Sequence, residues 1–338
     1  MTSFMVENML ELSLFKYSRK ESTRSNVVGM RATYGLTTLT LKDLYPDLTI
    51  FSADTSTSAG LDRFKTSHSD SFFDCGISEQ CMVAAAAGFV AGGGIALAST
   101  FAPFLILRAA EQVRLSLGYM NLPIVITGLA SGLSLGYLGY THCCVEDLPF
   151  ALSIPNIYVY SPSDAYELKL FLPEIVKQRK PTYIRLTGAS KVEPVHKTDI
   201  TTDFSSPIKI SNLGSKLLVL STGSISSNVV QAINLLPENY SSLLSHYVVP
   251  FFDHKNTTDQ IAKLASEYDS VFVVDESMYG GLASFTSMAL ATNSIFKPLH
   301  ASTHPHKYLS CGSHDYMLQQ CKLDVKSLQE TILSILAS

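Results

Sequence analysis

Short apolar segments alternate with longer amphipathic segments along most of this 338-residue chain. In the first half, the longer segments predict helices at residues 32–44, 78–91, 103–117, 147–152 and 165–178. The short segments predict strands at residues 48–53, 95–99, 123–127, 157–161 and 182–186. Apolar strands that alternate with helices are typical of a parallel sheet with helices on both faces.

The alternation stops in a polar segment and then resumes. The second half predicts strands at 217–221, 247–250 and 271–274, and helices at 226–235, 258–266, from Gly280 onwards and at 325–336. We therefore predict an α/β protein with two consecutive open, mostly parallel sheets that carry helices on both faces. The predicted organisation is an N-terminal arm (1–25), a first domain (26–188), a linker (189–206) and a second domain (207–338).

One uncharged stretch, residues 82–98, comes close to the length of a membrane span. Gly92, Gly93 and Gly94 interrupt it, and the apolar residues after them are only strand-sized. A helix, a glycine turn and a buried strand explain the stretch better than a membrane span. The N-terminus carries Glu7 and Glu11 and has no signal-peptide pattern, so we expect a cytoplasmic protein without membrane contact.

The composition points to extensive burial. Only 16% of the residues are charged, against a typical value of about 25%, which suggests burial against another subunit. The net charge is −4 without clustered Lys or Arg, so no nucleic-acid partner is expected. The six cysteines form no C-x-x-C pattern, and we interpret them as reduced core thiols.

Glu79 is the most informative single residue. No charged residue occurs between it and Arg108, so its carboxylate stands at the edge of a strongly apolar segment. A buried carboxylate is costly unless it has a partner or a task. The alternative is an exposed acid at the start of a helix whose N-cap is Ser78.

Several motifs occur in the order found in one enzyme family. The run Gly-Ile-Ser-Glu-Gln at 76–80 is joined by matching stretches at 52–54, 99–104, 112–114, 139–142, 152–156, 161–164, 274–276 and 280–282. Together they resemble the C-terminal half of a transketolase, over residues 30–335. That half holds the pyrimidine-binding domain and the C-terminal domain of a thiamine-diphosphate enzyme.

The resemblance assigns the cofactor residues. Thiamine diphosphate acts after C2 of its thiazolium ring loses a proton, with the cofactor's own 4′-amino group as the base. Glu79 stands where the family places the acid that hydrogen-bonds N1′ and activates that group. Phe101 and Phe104 would hold the aminopyrimidine ring, although core packing is the alternative. Asp54 ends a strand and would lie near cofactor and substrate.

The resemblance also assigns substrate residues. His142 would face the substrate's hydroxyl or carbonyl group, and the alternative is a core histidine. Arg31 and Ser58 match positions that grip a sugar phosphate, and either could instead be an ordinary surface residue.

The departures from the family are equally informative. The chain has no Gly-Asp-Gly segment, which in the family binds the diphosphate through magnesium. We therefore expect a partner subunit to supply the diphosphate site and Mg²⁺, in an α2β2 assembly with the active site at the interface. Leu138 replaces a family acid, Ala130 a phosphate-binding histidine and Gly188 an arginine. Lost cationic contacts weaken phosphate binding, so the carbonyl substrates are expected to differ from ordinary pentose phosphates.

These observations predict the C-terminal subunit of a split, transketolase-like carboligase that transfers a two-carbon ketol or related acyl unit through a C2 adduct. The β subunit of a 2-oxoacid decarboxylase or dehydrogenase shares the architecture and remains an alternative. A non-catalytic regulatory partner is a second alternative. A nicotinamide dehydrogenase is disfavoured, because residues 92–94 do not form G-x-G-x-x-G after a strand.

Overall fold

The computed structural model describes residues 19–187, 192–196, 200 and 206–337. Most of the predicted N-terminal arm, most of the predicted linker and Gly188 lie outside the described residues.

The first half folds around a seven-stranded sheet. Its strands are β1 (Leu48–Ser52), β2 (Phe72–Asp74), β3 (Ile95–Phe101), β4 (Val125–Ser131), β5 (Tyr158–Tyr160), β6 (Thr182–Thr187) and β10 (Phe251–Phe252). They lie in the order β10-β5-β6-β4-β3-β1-β2, and each pair is parallel except β10 with β5. The apolar runs of β1, β3 and β6 are buried because helices cover the sheet.

The helices of this half are α1 (Arg19–Val28), α2 (Met30–Leu44), α3 (Asp62–Ser67), α4 (Glu79–Ala91), α5 (Ala110–Val113), α6 (Asp147–Ser153) and α7 (Ala165–Gln178). Two apolar clusters flank the sheet. One contains Tyr34 and Leu41 of α2 with Phe171 of α7. The other contains Met82 and Ala86 of α4 and continues into the second half of the chain.

The second half contains a five-stranded sheet in the order β12-β11-β8-β9-β7. Its strands are β7 (Ile208–Asn212), β8 (Leu217–Ser221), β9 (Leu244–Val248), β11 (Ser270–Val274) and β12 (Leu299–Ser302), and only β7 runs antiparallel. The helices are α8 (Ser226–Asn234), α9 (Glu238–Ser241), α10 (Asn256–Ser266), α11 (Leu282–Thr292), α12 (His314–Gln320) and α13 (Val325–Ala337). The predicted fold class, two open and mostly parallel sheets, is confirmed.

Polar contacts join the two halves. Strand β10 belongs to the second half of the sequence but pairs with β5 of the first sheet. The Glu276 carboxylate accepts a hydrogen bond from the backbone N–H of Leu133 at 3.1 Å. The Ser224 backbone N–H donates to the Thr187 hydroxyl at 3.1 Å. The two sheets are therefore linked at the ends of their strands.

The segment 103–117, predicted as one regular α-helix, is not regular in the structure. Two π-helical segments, Phe104–Arg108 and Arg114–Tyr119, flank the single α-helical turn of α5. A π-helical turn inserts one extra residue, so positions after it face a different direction from those of a regular helix. Such turns occur often at functional sites.

The predicted strand at 247–250 is also wrong in its bounds. The structure has β9 ending at Val248 and β10 beginning at Phe251. Pro250 lies between them and has no N–H to donate to a strand ladder; its carbonyl accepts from the Ser161 N–H.

Residues 82–98 form most of α4, the glycine turn and the start of β3, as predicted. Within the described residues, no helix is long and apolar enough to cross a membrane. The prediction of core thiols is wrong for Cys81 and Cys311, which are exposed. Cys143, Cys144 and Cys321 are buried.

Candidate active site

The site lies where the strand order of the first sheet reverses. Strand β1 pairs with β2 on one side and with β3 on the other, so the chain crosses back over β1 after β2. In open α/β sheets, ligands bind outside the carboxyl ends of the strands at such a point. Asp54 follows β1 and Phe101 ends β3, which places both at this crevice.

Glu79 is the first residue of α4, and its side chain is only 2% exposed. The Arg108 Nη1 atom donates to its Oε2 atom at 2.9 Å, and the Arg108 side chain is 47% exposed. The other carboxylate oxygen of Glu79 accepts no hydrogen bond from the residues that the structure describes. The buried carboxylate therefore has both a cationic partner and one oxygen available for a ligand.

Arg108 is a site residue that sequence reasoning did not assign. A regular helix over 103–117 would place Arg108 on one face with Glu111 and Arg114. The structure instead has Arg108 at the end of a π-helical segment, where it pairs with Glu79. Arg114 and Glu111 form their own exposed bidentate pair, at 2.7 and 2.8 Å. One sequence feature could have indicated this pairing: Arg108 is the first charged residue after Glu79.

Three rings form a cluster beside this ion pair. Phe101 and Phe104 meet edge to face with centroids 6.1 Å apart, and the His142 ring lies 5.8 and 5.4 Å from them. The Arg108 guanidinium lies 4.3 Å from the centroid of the Phe104 ring, in a cation–π contact. The structure thus places Phe101, Phe104 and His142 in one cluster, and Arg108 connects this cluster to Glu79.

His142 directly follows a short 3₁₀-helical segment, Gly136–Thr141, in the connection after β4. Gly139, with φ of 71°, turns the chain just before it, a backbone conformation that favours glycine. The His142 Nδ1 atom and the Thr141 hydroxyl lie 3.0 Å apart and share a hydrogen bond. Nε2 has no hydrogen-bond partner among the described residues and can act on a ligand.

A cavity of about 370 Å³ adjoins the ring cluster and is called the substrate cavity below. Phe101 lines it together with Arg31 and Ser58, two of the three predicted substrate residues. Arg31 is the only charged residue among the described residues that line it, and no ion pair engages its guanidinium there. Its position in the first turn of α2 adds the positive end of the helix dipole. One anionic group is therefore favoured at this end of the cavity.

Two glycines bring Arg31 and Ser58 together. A β-carbon on Gly35 would overlap the carbonyl oxygen of Gly60, and a β-carbon on Gly60 would lie 2.7 Å from the carbonyl oxygen of Arg31. Gly60 also has φ of 72°. Only glycine at both positions allows the loop that carries Ser58 to pack directly on α2.

Asp54 does not join the ring cluster. It is exposed, has φ of 55°, and its backbone N–H donates to the Asp74 carboxylate at 2.9 Å. Burial acts against ionisation of Asp74, but N–H groups of Asp54 and Gly76 and the Lys65 ammonium lower its pKa. Asp74 therefore holds the backbone of Asp54 in its left-handed conformation, and the Asp54 carboxylate points to the surface.

The family departures fall on the cavity and its rim. Ala130 lines the substrate cavity and has φ of 54°, which is uncommon for alanine. Leu138 is 44% exposed, and its neighbour Tyr137 lines the cavity. The remaining wall is largely apolar, with Leu129, Leu135 and Leu186. Gly188 lies outside the described residues.

Several known proteins are similar to this chain. Residues 26–190 match the transketolase pyrimidine-binding domain. A protein from Methanocaldococcus jannaschii, described as a transketolase C-terminal section, is 29% identical over 90% of this chain and 95% of its own length. One subunit of the apulose-4-phosphate transketolase of Actinobacillus succinogenes is 33% identical over 57% of this chain and 61% of its own length.

A solved structure described as a split gene transketolase, inactive beta4 tetramer, superposes with a TM-score of 0.79 at 24% identity. The superposition includes 92% of this chain and 98% of the solved chain. Residues 26–190 are a transketolase pyrimidine-binding domain. The homologues that match the chain over most of its length include C-terminal sections and single subunits of split transketolases.

The residues present fit the pyrimidine half of thiamine diphosphate, the cofactor of this family. Glu79 offers an available carboxylate oxygen at a buried position, and Phe101 and Phe104 offer aromatic surface beside it. Within the described residues, no group of three His, Cys, Asp or Glu side chains could hold a metal ion. The fit therefore concerns the pyrimidine ring and not the diphosphate.

Proposed function

We propose that this chain is the C-terminal subunit of a split, thiamine-diphosphate-dependent carboligase, active only with a partner subunit. The observation that carries the proposal is Glu79, a 2% exposed carboxylate beside an aromatic cluster. One of its oxygens has no hydrogen-bond partner among the described residues. The partner would supply the diphosphate site and Mg²⁺. When bound, the cofactor supplies a carbon nucleophile for the transfer of a two-carbon ketol or related acyl unit.

Each residue of the site has a task in this proposal. The Glu79 carboxyl group would share a hydrogen bond with the pyrimidine N1′ and exchange a proton there, while Arg108 fixes its orientation. Phe101 and Phe104 hold the ring by contact with its π-system. His142 presents Nε2 to the hydroxyl or carbonyl oxygen of the substrate and moves a proton at that atom.

The substrate is proposed to carry at most one anionic group and a less polar body than a pentose phosphate. Arg31 supplies the single cation of the substrate cavity among its described lining residues, and Ser58 a hydroxyl beside it. Ala130, at the position of a family histidine, and Leu138, at that of a family acid, offer no charge. A phosphate held by fewer charge-assisted hydrogen bonds binds more weakly.

The proposed assembly is an α2β2 tetramer with the site at the subunit interface. Several large apolar side chains near the site are exposed in the isolated chain, including Ile77 at 76% and Leu107 at 47%. Exposed apolar surface of this kind is typical of a protein interface. The similar proteins include a single subunit of a transketolase and a transketolase C-terminal section, which supports a partner chain.

Reconstitution tests the proposal. The chain would be combined with a partner of the transketolase family that carries Gly-Asp-Gly, together with thiamine diphosphate and Mg²⁺. We expect transfer of a two-carbon unit from a ketose donor, and lower kcat/KM with xylulose 5-phosphate and ribose 5-phosphate than a housekeeping transketolase shows. Decarboxylation of pyruvate without ketol transfer would instead indicate the 2-oxoacid alternative.

A further inference from the structure

The second sheet has its own strand-order reversal. Strand β8 pairs with β9 on one side and with β11 on the other, and the chain reaches β9 before β11. The crevice rule that places the first site at β1 and β3 therefore also indicates the carboxyl ends of β8 and β11. A cavity of about 490 Å³ lies there and is called the second cavity below.

The residues that follow these two strands line the second cavity. Ser224 and Ile225 come from the turn after β8, and Glu276 is the second residue after β11. His314 and Gln319 of α12 form the opposite wall. No residue of the candidate active site lines it, so the second cavity is a separate site.

Ser224 carries an unsatisfied hydroxyl in this wall. The residue is only 6% exposed, and its Oγ atom has no hydrogen-bond partner among the described residues. Buried polar atoms are almost always paired with protein, water or ligand, and an exception calls for an explanation. A ligand hydroxyl in the second cavity would satisfy this atom.

We propose that the second cavity binds a neutral, hydroxyl-rich small molecule, such as a sugar or a nucleoside, and that its occupancy modulates the substrate cavity.

The charges of the lining decide the ligand class. The lining contains four carboxylates, those of Glu193, Glu276, Asp315 and Asp324, and two basic side chains, His314 and Lys326. This excess disfavours phosphates and other anions. Carboxylates accept strong charge-assisted hydrogen bonds from hydroxyl groups, and Ser227, Asn228 and Gln231 add neutral partners.

The deepest carboxylate is already compensated. The His314 Nε2 atom lies 3.8 Å from Glu276 Oε2, too far for a hydrogen bond but close enough for electrostatic attraction. Burial disfavours both charges, yet the pair lowers the pKa of Glu276 and raises that of His314. The ligand therefore does not need a cationic group to neutralise Glu276.

Two hydrogen bonds lead from the second cavity to the substrate cavity. The Ser224 N–H donates to Thr187 Oγ1 at 3.1 Å, and Thr187 lines the substrate cavity. Glu276 accepts from the Leu133 N–H at 3.1 Å, and Leu135, two residues on, also lines it. A ligand that contacts Ser224 and Glu276 would shift the positions of both residues and, through these two hydrogen bonds, those of Thr187 and Leu133. This modulation rests on the proposed function, whereas the binding does not.

Calorimetry on the full-length chain tests the binding, with D-ribose, D-glucose and adenosine as probes. AMP serves as the anionic counterpart of adenosine. We expect at least one neutral probe to bind at millimolar concentration or below, and AMP to bind more weakly than adenosine. Ser224→Ala should weaken binding about tenfold, since one hydrogen bond contributes about 1 kcal/mol. Because the Ser224 hydroxyl is unpaired among the described residues, this change should leave stability unaltered.

Gln319→Trp provides a second, blocking variant at an exposed lining position, and Gln320→Trp is its matched control just outside the cavity. Loss of binding in Gln319→Trp, with retention in Gln320→Trp and Arg31→Ala, supports the proposal. It is overturned if no neutral probe binds, or if Gln319→Trp binds like the native chain.

The reconstituted complex tests the modulation separately. A bound probe should change KM for the donor substrate in the native complex but not in Gln319→Trp. An unchanged KM overturns the modulation. If the complex shows no activity, the proposed function fails while the binding result stands.

Discussion

At the scale of single residues, the chemistry of the site depends on the ion pair between Glu79 and Arg108. The carboxylate is buried and the guanidinium is half exposed, so water screens only one end of the pair. The same guanidinium lies over the Phe104 ring. Arg108 thus contacts both the acid that we propose contacts the pyrimidine and one of the rings that we propose hold it.

Replacing Arg108 should therefore affect the rate more than binding. We expect Arg108→Gln to lower kcat of the reconstituted complex on the order of 10²-fold, because a small misplacement of a catalytic group costs about that much. KM for the sugar substrates should change little. Arg114→Gln is the matched control, since it breaks an exposed pair with Glu111. If both variants had the same kcat, Arg108 would have no specific role in the active site.

Ala130 offers a gain-of-function test of the substrate proposal. Ala130→His introduces the imidazole that the resemblance to the family implies at this position, and histidine is among the residues that tolerate a left-handed backbone. A cationic or neutral imidazole in the cavity adds a hydrogen bond to phosphate. We expect kcat/KM for ribose 5-phosphate to rise about tenfold, since one such bond contributes about 1.5 kcal/mol or more. If kcat/KM for ribose 5-phosphate did not rise, the proposal that Ala130 removes a phosphate contact would be contradicted.

At the scale of elements, the site is built from strand ends and the short segments attached to them. The carboxyl ends of β1 and β3 define the crevice, the π-helical turn after β3 directs Arg108, and the loop after β4 carries His142. The loop that carries Ser58 packs on α2 through Gly35 and Gly60. These irregular connections, rather than the regular elements, set the geometry of the side chains.

A substitution at the glycine contact should show this. Gly35→Ala would push the loop of Gly60 away from α2, separating Ser58 from Arg31. We expect a loss of about 2 kcal/mol in the free energy of unfolding, in the range for overpacked sites, and a rise in KM with a smaller change in kcat. Gly88→Ala is the control, because a β-carbon there meets no atom within 4 Å in the described structure. Unchanged KM in Gly35→Ala would contradict the assignment of the substrate cavity.

The sequence predicted the long elements because their apolar patterns persist over many residues, as in α7 and β6. It missed the short ones, such as α3 and β2, whose lengths are too small for a period to appear. It also could not predict that Arg108 meets Glu79, because a π-helical turn depends on local packing and not on the spacing of charges. The aromatic residues and His142 were found through ordered motifs rather than through any property of those residues alone.

At the scale of the whole molecule, buried histidines lie where the two halves meet. His196 Nε2 lies 2.8 Å from Glu167 Oε2 and 2.9 Å from the Ser163 hydroxyl, and the pair is almost fully buried. His246, on β9, shares a hydrogen bond with the Ser221 hydroxyl at 2.7 Å. Burial disfavours the charged form of both rings, but only His196 has a carboxylate partner among the described residues.

The two histidines make opposite contributions to stability as the pH changes. Burial opposes the charge of His196, but Glu167 raises its pKa above the ordinary value of about 6.5. Its contribution is complete below that pH and is lost as the pH rises through the raised pKa. Burial, with a smaller effect of His196, lowers the pKa of His246 to about 3. Its contribution is lost as the pH falls from about 6.5 to 3.

Urea unfolding of His196→Gln across this pH range checks the first contribution. We expect the variant to be less stable by about 2 kcal/mol below pH 6.5, as for a hydrogen bond to a charged group. The difference from the native chain should shrink as the pH rises. A constant difference at all pH values would show that His196 is not protonated in the folded state.

The central claim is that Glu79 activates thiamine diphosphate held between this chain and its partner. The most direct measurement is the exchange of the cofactor's C2 proton for deuterium in the reconstituted complex, followed by NMR. We predict that Glu79→Gln slows this exchange by about 10²-fold or more, while the complex still binds the cofactor and Glu111→Gln exchanges at the native rate. Exchange in Glu79→Gln as fast as in the native complex would contradict the account.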